Sequence, residues 1–262
     1  MQSTTSQREL WLRQYHPGPD GDGPVLVCFP HAGGAATAFR PLSGDLSAHA
    51  EVWSLQYPGR QDRHAEAPAT RLDALADAAA ALLGAYTGRP LVLYGHSLGA
   101  LVAYETARRL EDAFPGVELA GLLVSGAQAP SVPRSLGVHL RDDDGVIEEI
   151  RKLGGTAPEL LADPDVRRMI LPAVRGDYEA LETYRFRAAA PRLRCPVSAL
   201  IGSADTQTTE GGARLWEETT AGGFGLRTLP GGHFFTESHR PQVAAALAED
   251  IRSFTHAARR IR

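Results

Sequence analysis

Several features that mark other protein classes are scarce or absent in this chain of 262 residues. No apolar run approaches the roughly 18 to 20 residues that a membrane span needs. Residues 1–7 lack the charged and apolar regions of a signal peptide. We therefore expect a cytoplasmic protein with no membrane partner.

Cysteine and clusters of one charge are also scarce. The two cysteines, Cys28 and Cys195, lie far apart and form no CxxC pattern, which favours buried, reduced thiols over a disulfide. The net charge is -4 and the arginines are scattered, so nothing indicates a nucleic-acid partner. The sequence has no Walker A, GxGxxG or zinc-ligand pattern, and residues 142–144 lack the carboxylate spacing of a calcium loop. We therefore expect neither a cofactor nor a metal.

What the chain does have is an alternation of short apolar runs and helical patterns. It is 43% hydrophobic and 22% charged, which supports a large core. Strands are predicted near residues 10–12 and over 24–29, 51–57, 91–94, 117–125, 196–202 and 226–229. Helices are predicted over 38–46, 72–86, 98–113 and 243–254. Strands that alternate with helices imply right-handed crossovers, so we predict an α/β fold with a mostly parallel sheet.

The alternation stops at residues 127–190, which contain no convincing strand. Apolar spacing over 146–153 and 166–181 predicts short amphipathic helices, and Pro172 should start or kink one of them. Long structureless loops are uncommon in compact domains. We therefore predict one domain over residues 1–262 with a helical lid inserted at about 127–190, in which Gly154-Gly155 is a candidate hinge.

The central motif is Gly95-His96-Ser97-Leu98-Gly99, which follows the apolar run 91–94. The pattern G-x-S-x-G alone would arise by chance in about one chain in seven of this composition, so it is weak evidence. Here it follows a predicted strand and precedes a predicted helix, which is the context of a nucleophile elbow. The sequence therefore predicts that Ser97 is a catalytic nucleophile.

A serine nucleophile needs a base and a group that orients the base. His233 follows the last predicted strand within Leu229-Pro230-Gly231-Gly232-His233, where glycines let the loop approach the elbow; the alternative is a turn histidine. Asp205 follows the strand at 196–202; the alternative is an aspartate that caps a helix over 206–215. The chain order serine, aspartate, histidine is the order of α/β-hydrolases.

Other residues of the same types compete for these roles. Asp163 and Asp177 fall in the predicted lid, and His96 should point away from the elbow although it adjoins Ser97. The remaining histidines except His31 lie in polar or terminal segments, where a solvated role is expected: His16, His49, His64, His139, His239 and His256.

An oxyanion hole is predicted from two backbone amides. The amide of Leu98 directly follows the nucleophile, and a second donor should come from the loop after an early strand, which favours Ala32. His31 either shapes that loop or contacts the substrate.

The motifs that carry this chemistry also carry a family resemblance, which runs from about residue 11 to 254. In order they are Phe29-Pro30-His31-Ala32-Gly33-Gly34, Tyr57-Pro58-Gly59-Arg60, Gly95-His96-Ser97-Leu98-Gly99, Gly202-Ser203-Ala204-Asp205 and Gly231-Gly232-His233-Phe234-Phe235. Together they resemble the type II thioesterases of polyketide and nonribosomal peptide synthases. The segment 177–184 also resembles the end of that family's lid, whereas Ala35 stands where the family often has a small polar residue.

The resemblance implies an α/β-hydrolase fold with Ser97, Asp205 and His233 as the triad. It also implies hydrolysis of acyl groups from the phosphopantetheine thiol of an acyl carrier or peptidyl carrier protein, which clears wrong or stalled chains. We expect a monomer. Other interpretations are an acyltransferase or cyclase, a small-molecule esterase with the same triad, or a noncatalytic binding module.

Carrier proteins are usually acidic, so a local arginine patch could dock one despite the net negative charge. Candidates for the patch are Arg134, Arg141, Arg151, and Arg259, Arg260 and Arg262 in the tail, for which a solvated helix end is the alternative. Arg60 and Arg63 could form structural ion pairs or contact a phosphate.

Overall fold

The computed structural model describes residues 4–134, 137–155 and 158–260. Its strands are β1 Leu12–Arg13, β2 Val25–Phe29, β3 Glu51–Leu55, β4 Leu91–His96, β5 Leu119–Ser125, β6 Val197–Gly202 and β7 Phe224–Leu229. They form one central sheet in the order β1-β3-β2-β4-β5-β6-β7. The first strand is antiparallel to its neighbour and all the other strand pairs are parallel.

Helices occupy most of the connections between these strands. They are α1 Thr4–Trp11, α2 Arg40–Asp45, α3 Leu72–Leu83, α4 Leu98–Ala113, α5 Asp143–Leu153, α6 Pro158–Ala162, α7 Pro164–Thr183, α8 Glu210–Arg214, α9 Phe235–Ser238 and α10 Arg240–Arg260. Short 3-10 helices span Ala36–Phe39, Gln61–Arg63, Val138–Leu140 and Leu215–Thr219.

The central strands are buried on both faces, which is why they are continuous apolar runs rather than alternating ones. In β2, Val25, Val27 and Phe29 belong to a core cluster that includes residues of α3 and α4. Leu26 and Cys28 belong to a second cluster, which includes residues of α2 and α10. The sheet therefore lies between two layers of helices.

Residues 127–190, between β5 and β6, contain only helices and loops among those that the structure describes. Seven of their side chains form a separate buried cluster, which includes Val146, Ile147, Leu171, Val174 and Tyr178. Helix α7 runs through Pro172, so this proline does not start a helix, and the alternative that it kinks one stays a prediction.

Element bounds differ from the predicted ones by a few residues. The helix predicted to reach residue 86 ends at Leu83, where a Cβ on Gly84 would lie 2.2 Å from the Phe114 ring. Both cysteines are free and buried, as predicted. Among the described residues, no helix has the length and hydropathy to cross a membrane.

Candidate active site

Ser97 occupies a sharp turn between β4 and α4. Its backbone has φ 55° and ψ -120°, a conformation that costs energy for a residue with a side chain. A Cβ on Gly95 would lie 2.2 Å from the Gly99 carbonyl oxygen, and one on Gly99 would lie 2.0 Å from the Phe29 carbonyl oxygen. Only glycine fits at both flanking positions, so the spacing in the motif has a steric cause.

His233 and Asp205 lie beside this turn. His233 Nε2 is 3.0 Å from Ser97 Oγ, and its Nδ1 is 3.0 Å and 3.1 Å from the two carboxylate oxygens of Asp205. The side chains of His233 and Asp205 are 5% and 0% exposed. The structure thus brings together the three residues that the sequence singled out, in the geometry of a nucleophile, a base and an orienting acid.

The carboxylate of Asp205 is held in its ionised form. Burial is the largest single influence and raises its pKa, but its hydrogen bonds, first of all the one with His233, and the charge of His233 together outweigh burial, so the pKa is lowered overall. Asp205 also accepts from Gln207 N at 2.8 Å, whereas α8 begins later and is capped by Thr209. Asp205 therefore does not cap a helix, which was the alternative role for this residue.

The competing residues have other hydrogen-bond partners. Asp163 caps α7 by accepting from the amides of Asp165 and Val166. His96 is buried, and its Nδ1 lies 2.9 Å from Ser125 Oγ. The Ser97 hydroxyl instead has His233 as its hydrogen-bond partner. Ser125 also holds the backbone of the turn, because Ser97 N donates to the Ser125 carbonyl at 2.9 Å.

The two predicted oxyanion donors border the same cavity as Ser97. Leu98 is the first residue of α4, so its amide has no carbonyl partner in the preceding turn of the helix. Ala32 lies in the loop after β2. Both residues line a cavity of about 340 Å³ together with Ser97 and His233.

A buried ion pair braces the loop that carries Ala32. Asp177, on α7, accepts from Gly33 N at 2.7 Å and from two Arg60 nitrogens at 2.9 Å and 3.0 Å. Arg60 also donates to the Gly34 carbonyl at 3.1 Å. The side chains of Arg60 and Asp177 are 6% and 0% exposed. Helix α7, which lies in the segment predicted to be a lid, therefore contacts the loop directly next to Ala32.

Several known proteins that are similar to this chain in sequence and fold are named as thioesterases. A family model described as "Thioesterase domain" matches residues 24–251. The chain is 46% identical to a probable cadicidin biosynthesis thioesterase of Streptomyces griseus, over 92% of this chain and 66% of that protein. It is 42% identical to thioesterase PikA5 of Streptomyces venezuelae, over 92% of this chain and 85% of that protein.

Solved structures agree. The type II thioesterase BorB from the borrelidin biosynthetic cluster superposes with a TM-score of 0.85 at 46% identity, covering 92% of this chain and 98% of BorB. The chain belongs to the thioesterase family. The fold class and the family predicted from the sequence are confirmed.

The arginines proposed for carrier docking in this thioesterase have different surroundings. Arg141 and Arg151 form ion pairs with Glu149 and Glu148. Arg134 lines the cavity that holds Ser97. The tail side chains of Arg259, Arg260 and Arg262 lie outside the described residues.

Two further sequence expectations have structural explanations in this thioesterase. Arg60 forms a buried ion pair with Asp177, and the buried Arg63 pairs with the exposed carboxylate of Glu66, so the structural alternative holds for both. In the candidate hinge, Gly154 is the C-cap of α5 and has φ 77°. A Cβ on Gly155 would lie 2.3 Å from the Phe234 ring. These positions favour glycine for geometric reasons, and the hinge stays a prediction.

Sequence reasoning missed the joint role of Arg60 and Asp177. The residue types were visible, in the motif Tyr57-Pro58-Gly59-Arg60 and at the end of the predicted lid. Their pairing was not, because 117 positions separate them in the chain. The signal that could have indicated the pairing is that an arginine and an aspartate both belong to motifs of one family.

Acid is expected to destabilise this thioesterase through its histidines. Burial, with smaller effects from His233 and Arg60, lowers the pKa of His31 from 6.5 to about 4, and burial also lowers the pKa of His96. Between about pH 4 and 6.5 the unfolded chain binds more protons than the folded chain, so stability falls as pH falls. The measurement is the urea midpoint between pH 7 and 5.5.

The variant His31→Gln should flatten this pH dependence, because it removes one of the titrating groups. The exposed His64 provides the control, since His64→Gln should leave the slope unchanged. An equal slope in His31→Gln and the wild type would contradict this account.

Proposed function

We propose that this thioesterase hydrolyses acyl groups from the phosphopantetheine arm of an acyl carrier or peptidyl carrier protein in polyketide or nonribosomal peptide biosynthesis. Its task there is to clear wrong or stalled chains. The names of the similar proteins support this proposal, since they include a cadicidin biosynthesis thioesterase and a type II thioesterase from the borrelidin cluster. The single observation that carries the chemistry is the chain of contacts from Ser97 through His233 to Asp205.

The first half-reaction forms an acyl-serine. Asp205 keeps the His233 proton on Nδ1, so the lone pair on Nε2 faces Ser97 and accepts its proton as Oγ attacks the thioester carbonyl. The carbonyl oxygen becomes negative and is bound by the amides of Ala32 and Leu98. The C–S bond then breaks, and the departing thiolate takes the proton from His233.

The second half-reaction releases the acid. Water gives a proton to His233 Nε2 and attacks the acyl-serine carbonyl, and the same two amides bind the oxyanion. Collapse breaks the bond to Ser97 Oγ, which recovers its proton from His233. The products are a free carboxylic acid and the regenerated serine.

We also propose that residues 1–262 form one α/β-hydrolase domain in a monomeric, cytoplasmic enzyme, with 127–190 as a lid over the acyl pocket. The cavity wall supports the lid, because Leu153 of α5 and Tyr178 and Leu181 of α7 line it. Light scattering after size-exclusion chromatography tests the monomer.

A comparison of the same acyl group on an acyl carrier protein and on free pantetheine tests the substrate class. We expect kcat/KM for the acyl carrier protein to exceed that for the same acyl group on free pantetheine by at least about tenfold, because only the protein adds a docking surface. Mass analysis should show the free acid. Equal values of kcat/KM would instead indicate a small-molecule esterase, and an ester or ring product would indicate an acyltransferase or cyclase.

A noncatalytic binding module is the remaining alternative. It predicts that a fluorophosphonate leaves Ser97 unmodified. Stoichiometric labelling of Ser97 would exclude it.

A further inference from the structure

Arg134 lies between two cavities. It lines the cavity that contains Ser97 and His233, and it also lines an adjoining cavity of about 400 Å³. The two cavities share Pro133, Leu181 and Glu182 as further wall residues. A group bound in either cavity can therefore lie next to Arg134.

The protein uses only part of the hydrogen-bonding capacity of this guanidinium. Nη1 donates to the Val132 carbonyl at 3.0 Å, and Nη2 donates to the carbonyls of Gln128 and Ala129. A guanidinium has five N–H groups. Within the described part of the chain, Nε–H and one N–H of Nη1 have no acceptor.

The charge of Arg134 is also unpaired among the described residues. None of their carboxylates forms an ion pair with it. Glu182 lines both cavities, but its oxygens accept from the amides of Val138 and His139 and from His139 Nδ1. Burial lowers the pKa of Arg134 to about 10, which leaves it protonated at neutral pH.

A partly buried cation without a counterion is costly unless an anion joins it, and a substrate cavity is where an anion can enter. The three carbonyl contacts explain how Arg134 is held, but they are made with neutral groups and leave two donors open. Each of the two open N–H groups can donate a charge-assisted hydrogen bond to an oxygen of a carboxylate or a phosphate.

We propose that Arg134 binds an anionic oxygen group of the substrate and thereby selects which thioesters are hydrolysed. This inference rests on the proposed function and deepens it. The group is either a carboxylate on the acyl chain, bound in the cavity of Ser97, or the phosphate of the pantetheine arm, bound where the two cavities meet. Both have the same chemistry, and the experiment below separates them.

Four thioesters distinguish the two sources: malonyl and propionyl groups, each on pantetheine and on 4'-phosphopantetheine. Malonyl and propionyl differ by a carboxylate in place of a methyl group. We expect Arg134→Gln to lower kcat/KM by about 10- to 100-fold for the thioesters that carry the recognised anion, and by less than about threefold for the others. Selective loss with malonyl assigns the carboxylate, and selective loss with 4'-phosphopantetheine assigns the phosphate.

Binding provides a readout that does not depend on turnover. In a Ser97→Ala background, calorimetry should show the same selective loss of affinity on adding Arg134→Gln. Failure of the carrier-protein proposal would appear separately, as equal rates of the wild type on carrier-bound and free thioesters. If the wild type hydrolysed none of the four, the calorimetry would still decide the role of Arg134.

Controls address the role of Arg134 in holding its loop. Arg134→Lys keeps the charge and should retain part of the selectivity, and thermal melting checks that each variant folds. Arg192 is exposed and lines a different groove, so Arg192→Gln should change neither rates nor affinities. An equal loss for all four thioesters, or no loss, would overturn the proposal.

Discussion

Replacing Ser97 by alanine is expected to lower kcat for thioester hydrolysis by about 10⁴- to 10⁶-fold. Without Oγ no acyl-serine can form, and only the polar groups around the cavity remain to assist water. The melting temperature should hardly change, because among the described residues the Ser97 side chain forms a hydrogen bond only with His233. The measurement is free acid released from an acylated carrier protein, with labelling by a fluorophosphonate as a second readout.

A matched serine tests whether the loss is specific. Ser203 is exposed and lies in the loop that leads to Asp205, so Ser203→Ala should keep wild-type release and labelling. Asp205→Asn belongs to the same series, because an amide in place of the carboxylate no longer fixes the His233 proton on Nδ1. Wild-type release by Ser97→Ala would refute the mechanism.

The sequence was sufficient for the elements that depend on local patterns. The run 91–94 is apolar throughout because β4 is buried on both faces, and the glycines at 95 and 99 are there because a side chain would collide with backbone atoms. The positions of Asp205 and His233 followed from the rule that loops at the carboxyl ends of parallel strands share one edge of the sheet. These inferences needed no knowledge of long-range packing.

The sequence was insufficient where a residue's environment decides its role. Arg134 was grouped with the docking arginines because residue type and position do not reveal burial, and the structure places it in the cavity with Ser97. A proline can start a helix or kink one, and only the packing around Pro172 decides that α7 runs through it. The pairing of Arg60 with Asp177 depends on how the lid segment packs against the loop after β3, which no local pattern encodes.

Replacing Asp177 by alanine is expected to impair both stability and catalysis. It leaves the Arg60 guanidinium buried without its counter-charge, which costs about 3 to 5 kcal/mol in the free energy of unfolding. It also removes the acceptor of Gly33 N, next to Ala32. If Ala32 then fails to meet the oxyanion, kcat should fall by about 10²- to 10³-fold. Urea unfolding and single-turnover hydrolysis measure the two effects.

A double variant separates the two effects. Arg60→Met together with Asp177→Leu removes both charges, and replacing a buried pair by apolar side chains typically costs much less than breaking it. Stability should therefore recover in part, whereas kcat should stay low because Gly33 N still lacks its acceptor. Asp177→Asn is the opposite case: it loses the charge, but its amide oxygen can still accept from Gly33 N.

The two readouts decide what the ion pair does. If kcat followed stability and returned to the wild-type value in the double variant, the pair would serve folding alone. A low kcat in a stable double variant, with KM nearly unchanged, would show that Asp177 acts through the oxyanion loop. Because Asp177 lies on α7 and Gly33 on the loop after β2, that result would also mean that the lid segment must be seated before the oxyanion hole is complete.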